Sequence, residues 1–232
     1  MFGTREAIVN QLRRLRLTTP RAIARLVAVT LFPPRCILCG FPGASLDLDL
    51  CKVCHADLPW AYSHGEAVVA LRYEHPVDEL IRRLKYQGAI AHGRVLGVLL
   101  AEVACKRGDA LPALLVPVPL HAARWRERGF NQAALIARYA GHLLGIPVTR
   151  HAAVRVRDTP SQTALDVNAR RLNVRGAFEV REGRPLERLS AAGHVAIVDD
   201  VITTGSTVNE LRRVLLGAGV RRVEVWAVAR AT

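Results

Sequence analysis

Lysine is nearly missing from this chain. Of 33 basic residues, 30 are Arg, and the three lysines are Lys52, Lys85 and Lys106. None of the three follows a glycine, so the G-x-x-x-x-G-K-[ST] phosphate loop is absent and a P-loop ATPase is excluded. Also missing is any run of about 18 apolar residues, the least a helix needs to cross a bilayer. No membrane span is expected, although half of the residues are hydrophobic. The basic N-terminal stretch leads into an apolar patch at residues 22–32, but Arg25 interrupts it and no small-residue cleavage site follows, so a secretory signal is not expected. A cytoplasmic location follows, where cysteines remain thiols. Internal repeats and low-complexity tracts are absent as well.

Acidic residues are too few to balance the arginines, 20 against 33, which leaves a formal charge of +13. Such a surface attracts polyanions through screened, salt-dependent forces. A genome biased toward Arg codons would give the same count, so the charge permits nucleic-acid binding without demonstrating it. The 232 residues are enough for one moderate α/β domain and a small module.

Four of the five cysteines fall in two knuckles, Cys36-x-x-Cys39 and Cys51-x-x-Cys54, eleven residues apart. Each C-x-x-C places two thiolates on one side of a tight turn, and two facing turns supply a tetrahedral S4 cage, the signature of a zinc ribbon. Gly40, Pro42 and Gly43 supply turn chemistry beside the first knuckle. A redox pair would use one knuckle and leave the other unexplained, and an iron–sulfur cluster also suits four sulfurs. With all four positions filled by protein, a zinc ion here is structural and not catalytic. Cys105, alone in a helical pattern, is expected in the core.

Three parts are expected: a basic amphipathic extension over residues 1–33, a zinc ribbon over 34–60, and a larger α/β domain over 61–232. In the last, residues 67–73 read as a short strand, and Val77, Leu80, Ile81 and Leu84 as a helix that Gly88 ends. A helix over 91–105 and a strand over 113–118 follow; Pro117 and Pro119 suit a strand end or a sheet edge. From Asn131 to Leu144 the sets Leu135, Tyr139, Leu143 and Ile136, Ala140, Leu144 mark a buried helix face, and residues 222–228 form a last strand. Alternating strands and helices imply a parallel sheet covered by helices, with ligands bound beyond the carboxyl ends of its strands.

The most informative stretch is residues 195–207, VAIVDDVITTGST. Four apolar residues fit a buried strand, and Val208, Leu211, Val214 and Leu215 keep helical spacing afterwards. The turn between them sits on a helix N-terminus, where free N–H groups and the helix dipole bind anions. Gly205 allows close backbone approach, and Thr203, Thr204, Ser206 and Thr207 add hydroxyl donors. Asp199 and Asp200, on the same turn, would repel a phosphate but suit the two hydroxyls of a ribose. Phosphate at one end and a diol at the other describe phosphoribosyl pyrophosphate, PRPP. A second region, residues 121–175, carries ten Arg against Glu127, Asp158 and Asp166. Arg124, Arg126 and Arg128 there form a flexible basic loop that, with Lys85, can grip a pyrophosphate or nucleic-acid phosphates; a solvated charged face accounts for any one of them equally well.

The two knuckles, Leu84-Lys85-Tyr86-x-Gly88, Val116-Pro117-Val118-Pro119 and Arg128-Gly129-Phe130-Asn131-Gln132 occur in that order. Arg155-x-Arg157-x-Thr159-x-x-Gln162, Arg171-x-Asn173-Val174-x-Gly176-Ala177-Phe178 and the 199–207 loop follow. In this ordered set the chain strongly resembles the ComF family, competence protein F and its relatives, over about residues 34–230. The resemblance implies a zinc ribbon ahead of a type I phosphoribosyltransferase-like domain. It also implies a role in natural transformation, with incoming single-stranded DNA, a helicase and a recombination mediator as partners. In catalytic relatives Mg²⁺ and basic residues stabilise the departing pyrophosphate, which would make the chain a phosphoribosyltransferase with an acceptor the sequence does not name. The same loop senses PRPP in regulators of this fold, so three readings stand: DNA handling, transfer and sensing.

Overall fold

A computed structural model describes residues 34–43, 48–63, 67–158 and 174–231. The 1–33 extension, Thr159, Gln162, Arg171 and Asn173 lie outside them. The chain divides between Asp57 and Leu58 into two units.

In the first unit the Cys36 knuckle is a tight turn. Cys36 N–H donates to the Phe41 carbonyl at 2.7 Å and Gly40 N–H to the Cys36 carbonyl at 2.9 Å, with Gly40 at φ 76°. The second knuckle leads into a short helix α1, Lys52–Ala56, whose N-cap Cys51 accepts from the Cys54 N–H through its sulfur at 3.4 Å.

The second unit is built on a five-stranded sheet in the order β1-β2-β7-β6-β3. Its strands are β1 Trp60–Ser63, β2 Ala67–Arg72, β3 Leu114–Pro117, β6 His194–Ile202 and β7 Arg222–Arg230. β1 pairs antiparallel with β2, and every other pairing in the sheet is parallel. Of the three inner strands, β6 and β7 are buried on both faces along most of their length, which is why they read as nearly unbroken apolar runs. β3 lies at the edge and ends at Pro117, as its prolines predict. Its outer side is covered by residues 147–149, through Leu115 N–H to the Pro147 carbonyl and Thr149 N–H to the Leu115 carbonyl, both 2.9 Å.

Strand alternation divides the core into two layers. Val195, Ile197, Val223, Val225 and Ala227 join one buried cluster with Val208, Leu211 and Leu215 of α7 (Ser206–Gly217) and Leu189 of α6 (Arg184–Ala192). Helices α2 (Val77–Gln87), α3 (Ile90–Lys106), α4 (Ala122–Arg128) and α5 (Gln132–Leu144) follow β2 and β3, and α3 and α5 pack closely. Gly97 makes that approach possible: a Cβ there would stand 2.7 Å from the Ile136 carbonyl oxygen and from Tyr139 Cβ. On α5 the buried face is Gln132, Ala133, Ile136, Ala137, Ala140 and Gly141; Leu135, Tyr139, Leu143 and Leu144, expected there, are only partly buried. Small residues take the inner stripe because the neighbouring helix comes so near. A separate hairpin, β4 (Ala153–Arg155) with β5 (Phe178–Val180), was not foreseen from the sequence, nor was α6. Cys105 is partly buried and not in the core.

Candidate functional site

The carboxyl ends of β6 and β3 carry the predicted residues. Asp199 and Asp200 belong to the strand and not to the turn that follows, since β6 continues in register with β7 as far as Ile202. Consecutive strand residues project to opposite faces, and this divides the pair. Asp199 lines a cavity of about 40 Å³ with Thr203, Gly205, Ser206 and Thr207 at the start of α7. Asp200 meets Lys85 of α2 in an ion pair, with the Gln132 side chain of α5 as a further hydrogen-bond partner. Asp200 N–H donates to Asp199 Oδ1 at 2.9 Å, so the two remain joined through the backbone.

Burial acts on all three ionisable groups of this cluster, and proximity decides the outcome. Desolvation and the neighbouring Asp200 charge push the Asp199 carboxyl well above the usual carboxylate range. Burial would raise Asp200 too, but the Lys85 ammonium outweighs it and holds that carboxyl low. Lys85 is pulled down by burial and lifted further by Asp200, so it stays charged. Lys85 and Asp200 are thus the charged pair of the cluster, and Asp199 is the acid whose ionisation burial and the Asp200 charge oppose. The cluster is a coupled set, in which a change at one acid is felt at the other.

Lys85 is drawn into this position by its neighbours. Gly88, at φ 63°, ends α2 one turn later, and Tyr86 beside it carries the Arg128 guanidinium over its ring at 5.4 Å. Arg128 also donates to Gln132 Oε1 at 2.7 Å. A chain of contacts thus runs Tyr86, Arg128, Gln132, Asp200, Lys85. Gln132 and Tyr86 were not singled out from the sequence, although both stand in the runs that carry the family resemblance. Arg124, Arg126 and Arg128, expected on a flexible loop, occupy the short helix α4, capped by the His121 side chain and closed by Gly129 at φ 80°. The structure brings Arg128 into the contact chain, and Arg126 is exposed. Asn131 caps α5 through its Oδ1 and donates to the Val118 carbonyl at 2.9 Å, which ties the α4–α5 corner to the end of β3.

The predicted turn forms a cradle. Gly205 has φ 74°, and a Cβ on it would meet Asn209 Nδ2 at 3.3 Å. Thr204 and Ser206 hydroxyls are 2.8 Å apart. Gly205 as N-cap gives α7 no side-chain cap of its own, and the Ser206 N–H, first in the helix, donates to Thr204 Oγ1 at 3.5 Å.

In the first unit the Sγ atoms of Cys36, Cys39, Cys51 and Cys54 all lie within 4.8 Å of one another. The Cys39 and Cys51 sulfurs are 3.6 Å apart, close to the edge of about 3.8 Å of a tetrahedron with metal–sulfur bonds of about 2.3 Å. Desolvation raises the Cys36 thiol, but N–H groups of Cys51, Cys39 and Leu38 outweigh it and bring the pKa to about 6. Burial and the three neighbouring sulfurs push Cys54 up. Four sulfurs this close can hold a metal ion.

No protein-family model matches the chain. Over 200 residues it is 37% identical to Competence protein F of Haemophilus influenzae, covering 83% of this chain and 84% of that protein. The chain belongs to the competence protein F family. DNA utilization protein YhgH of Escherichia coli K12 is 34% identical over 84% of this chain and 83% of its own length. Competence protein ComFC of Streptococcus pneumoniae is more distant, 22% identical over 68% of this chain and 65% of its own. The ComF relationship thus spans most of the chain. Among the described residues no helix is long and apolar enough to cross a membrane.

Proposed function

We propose that the chain is a ComF-type protein that handles incoming single-stranded DNA in natural transformation and carries a PRPP-binding site of phosphoribosyltransferase type. The observation that supports it most directly is the acid pair set beside the glycine turn that opens α7, in a relative of proteins named for competence and DNA utilization. In this reading the α7 turn, Thr203 to Thr207, takes the ribose phosphate through backbone and hydroxyl donors. Asp199 and Asp200 take the ribose hydroxyls, and Lys85 with Arg124, Arg126 and Arg128 supplies positive charge for the pyrophosphate or for nucleic-acid phosphates. Mg²⁺, a hard cation that seeks oxygen, suits the carboxylate donors and the pyrophosphate oxygens, and would offset the charge that builds up when pyrophosphate leaves. Zinc is the fitting ion for the four cysteines, with a structural role. The protein works in the cytoplasm, with a helicase and a recombination mediator as partners.

Asp199 supports a second reading, catalysis. A carboxyl whose pKa is pushed up beside one held low is a common device for proton transfer. Transfer of ribose 5-phosphate to a nitrogen acceptor would then release pyrophosphate. A PRPP sensor would show neither turnover nor an acceptor, only DNA affinity that changes with PRPP.

Isothermal titration of the metal-loaded protein with Mg²⁺-PRPP, repeated on Asp200→Asn, tests the site. Saturable binding lost in the variant is the expected result. Absence of binding in the wild-type chain would make this a repurposed fold.

A further inference from the structure

Outside the acid pair, a groove of about 560 Å³ lies between the α4–α5 corner and the β4 strand. Its volume falls within the roughly 300–1,000 Å³ of ligand sites. Trp125 and Phe130 provide aromatic surface, and Arg138, Arg150, Arg155 and Arg181 provide charge. Among the described residues, its lining contains no carboxylate. Trp125 is 53% exposed, an unusual position for so large an apolar ring in a soluble domain. Arg155, which lines the groove, lies over the Phe178 ring at 5.6 Å.

We infer that this groove is where single-stranded DNA is held, with Trp125 as a stacking platform for an unpaired base and Arg150 and Arg181 gripping the flanking phosphates. The inference rests on the DNA-handling reading above and names its surface. Charge decides the occupant. A second copy of the chain meeting this face across a two-fold axis would set arginines against arginines, whereas a polyanion neutralises them. An aromatic ring flanked by guanidinium groups is the arrangement that recognises stacked, unpaired bases without reading their sequence. A duplex keeps its bases paired and offers the tryptophan no free face.

Fluorescence anisotropy of a labelled thymidylate oligomer of about 16 nucleotides, titrated with the full chain at several salt concentrations, tests the proposal. Trp125→Ala should weaken binding at least about 5-fold, and Trp125→Phe should restore most of it. Arg150→Ala and Arg181→Ala should each flatten the plot of log affinity against log salt by about 0.7. Both arginines are exposed, so these variants keep the test valid should Trp125→Ala fold poorly. Wild-type binding with all four variants unchanged would overturn the groove and leave DNA handling intact. Absent wild-type binding would overturn both. A change of oligomeric state in Trp125→Ala, with DNA affinity unaltered, would make the groove an interface between copies and overturn the proposal.

Discussion

Lys85→Met should destabilise the protein in a way that depends on pH. The lysine is about one quarter exposed and its partner Asp200 almost fully buried. Breaking a buried pair costs about 3–5 kcal/mol, and partial solvent access to Lys85 places this one near the lower end, at about 3 kcal/mol. For domains of about 150–250 residues that corresponds to a fall of roughly 6–12 °C in Tm. In the wild type the folded Asp200 carboxyl is held below its unfolded value, so its contribution is present above about pH 4 and lost as pH falls through the lowered value. Without the ammonium, burial, the largest influence on Asp200, is opposed only by the hydrogen bonds from Asp199 and Gln132, and the folded value should move above the unfolded one. The sign then reverses, and stability is lost as pH rises through the new value. Lys85 itself, raised in the folded state, contributes no slope below about pH 10. The deficit of Lys85→Met should therefore be large at pH 8 and shrink toward pH 5. Asp200→Asn should behave differently, because the ammonium it leaves is about one quarter exposed, whereas Lys85→Met leaves a carboxylate almost fully buried. Lys85 can turn to water and the isosteric amide keeps the packing, so the cost should be smaller, about 1 kcal/mol. Thermal and urea melts followed by circular dichroism at the two pH values provide the assay. A deficit equal at pH 5 and pH 8, or Asp200→Asn as damaging as Lys85→Met, would refute this account of the cluster.

Cys36→Ser should abolish stoichiometric zinc, read with a chelating dye, and loosen the first unit, because a structural metal contributes folding energy directly. Gly97→Ala should cost about 1–3 kcal/mol in a denaturant melt, since the added methyl would meet a backbone oxygen and not a side chain that can yield. If the acid pair and the Arg groove are coupled through Arg155, Mg²⁺-PRPP should change DNA affinity by some factor and DNA should change PRPP affinity by the same factor. Unequal factors in the two titrations would break the linkage.

What the sequence made legible follows from periodicity and from spacing. β6 and β7, buried on both faces, show as apolar runs; α2 shows through Val77, Leu80, Ile81 and Leu84; the knuckles show through two C-x-x-C spacings. The β4–β5 hairpin does not show, because three-residue strands carry too little alternation to stand out. The inner face of α5 was misassigned for a packing reason: hydrophobicity points to Leu and Tyr, whereas close approach of α3 selects Ala and Gly. Lys85 is expected from the sequence among the groups that grip a phosphate, and its ion pair with Asp200 is not legible there. Nothing local distinguishes it from Arg82 and Arg83, which lie near Glu79 on the exposed side. Only the fold, by bringing α2 to the end of β6, gives it a carboxylate. Gln132 is hidden in the same way, a polar residue in a helical pattern whose partners are 4 residues back and 68 residues ahead.

A second buried acid shows why the pair at the carboxyl end bears on function. Glu224, near the start of β7, is paired with Arg107 and His194 and receives the Trp226 indole N–H at 3.1 Å. Burial would raise its pKa, but Arg107 outweighs that and holds it low. One carboxylate there meets several donors, so its lone pairs are occupied and it locks the amino ends of β6 and β7 together. At the other end of the same strands the balance is inverted. Two acids share one lysine and one glutamine side chain, and burial together with the Asp200 charge pushes the Asp199 carboxyl up. Stability alone favours the first arrangement, since an acid short of donors is costly to bury. An acid pair short of donors at a strand end, beside a glycine cradle, costs least once a ligand brings hydroxyl groups of its own, and the two ribose hydroxyls are donors of that kind.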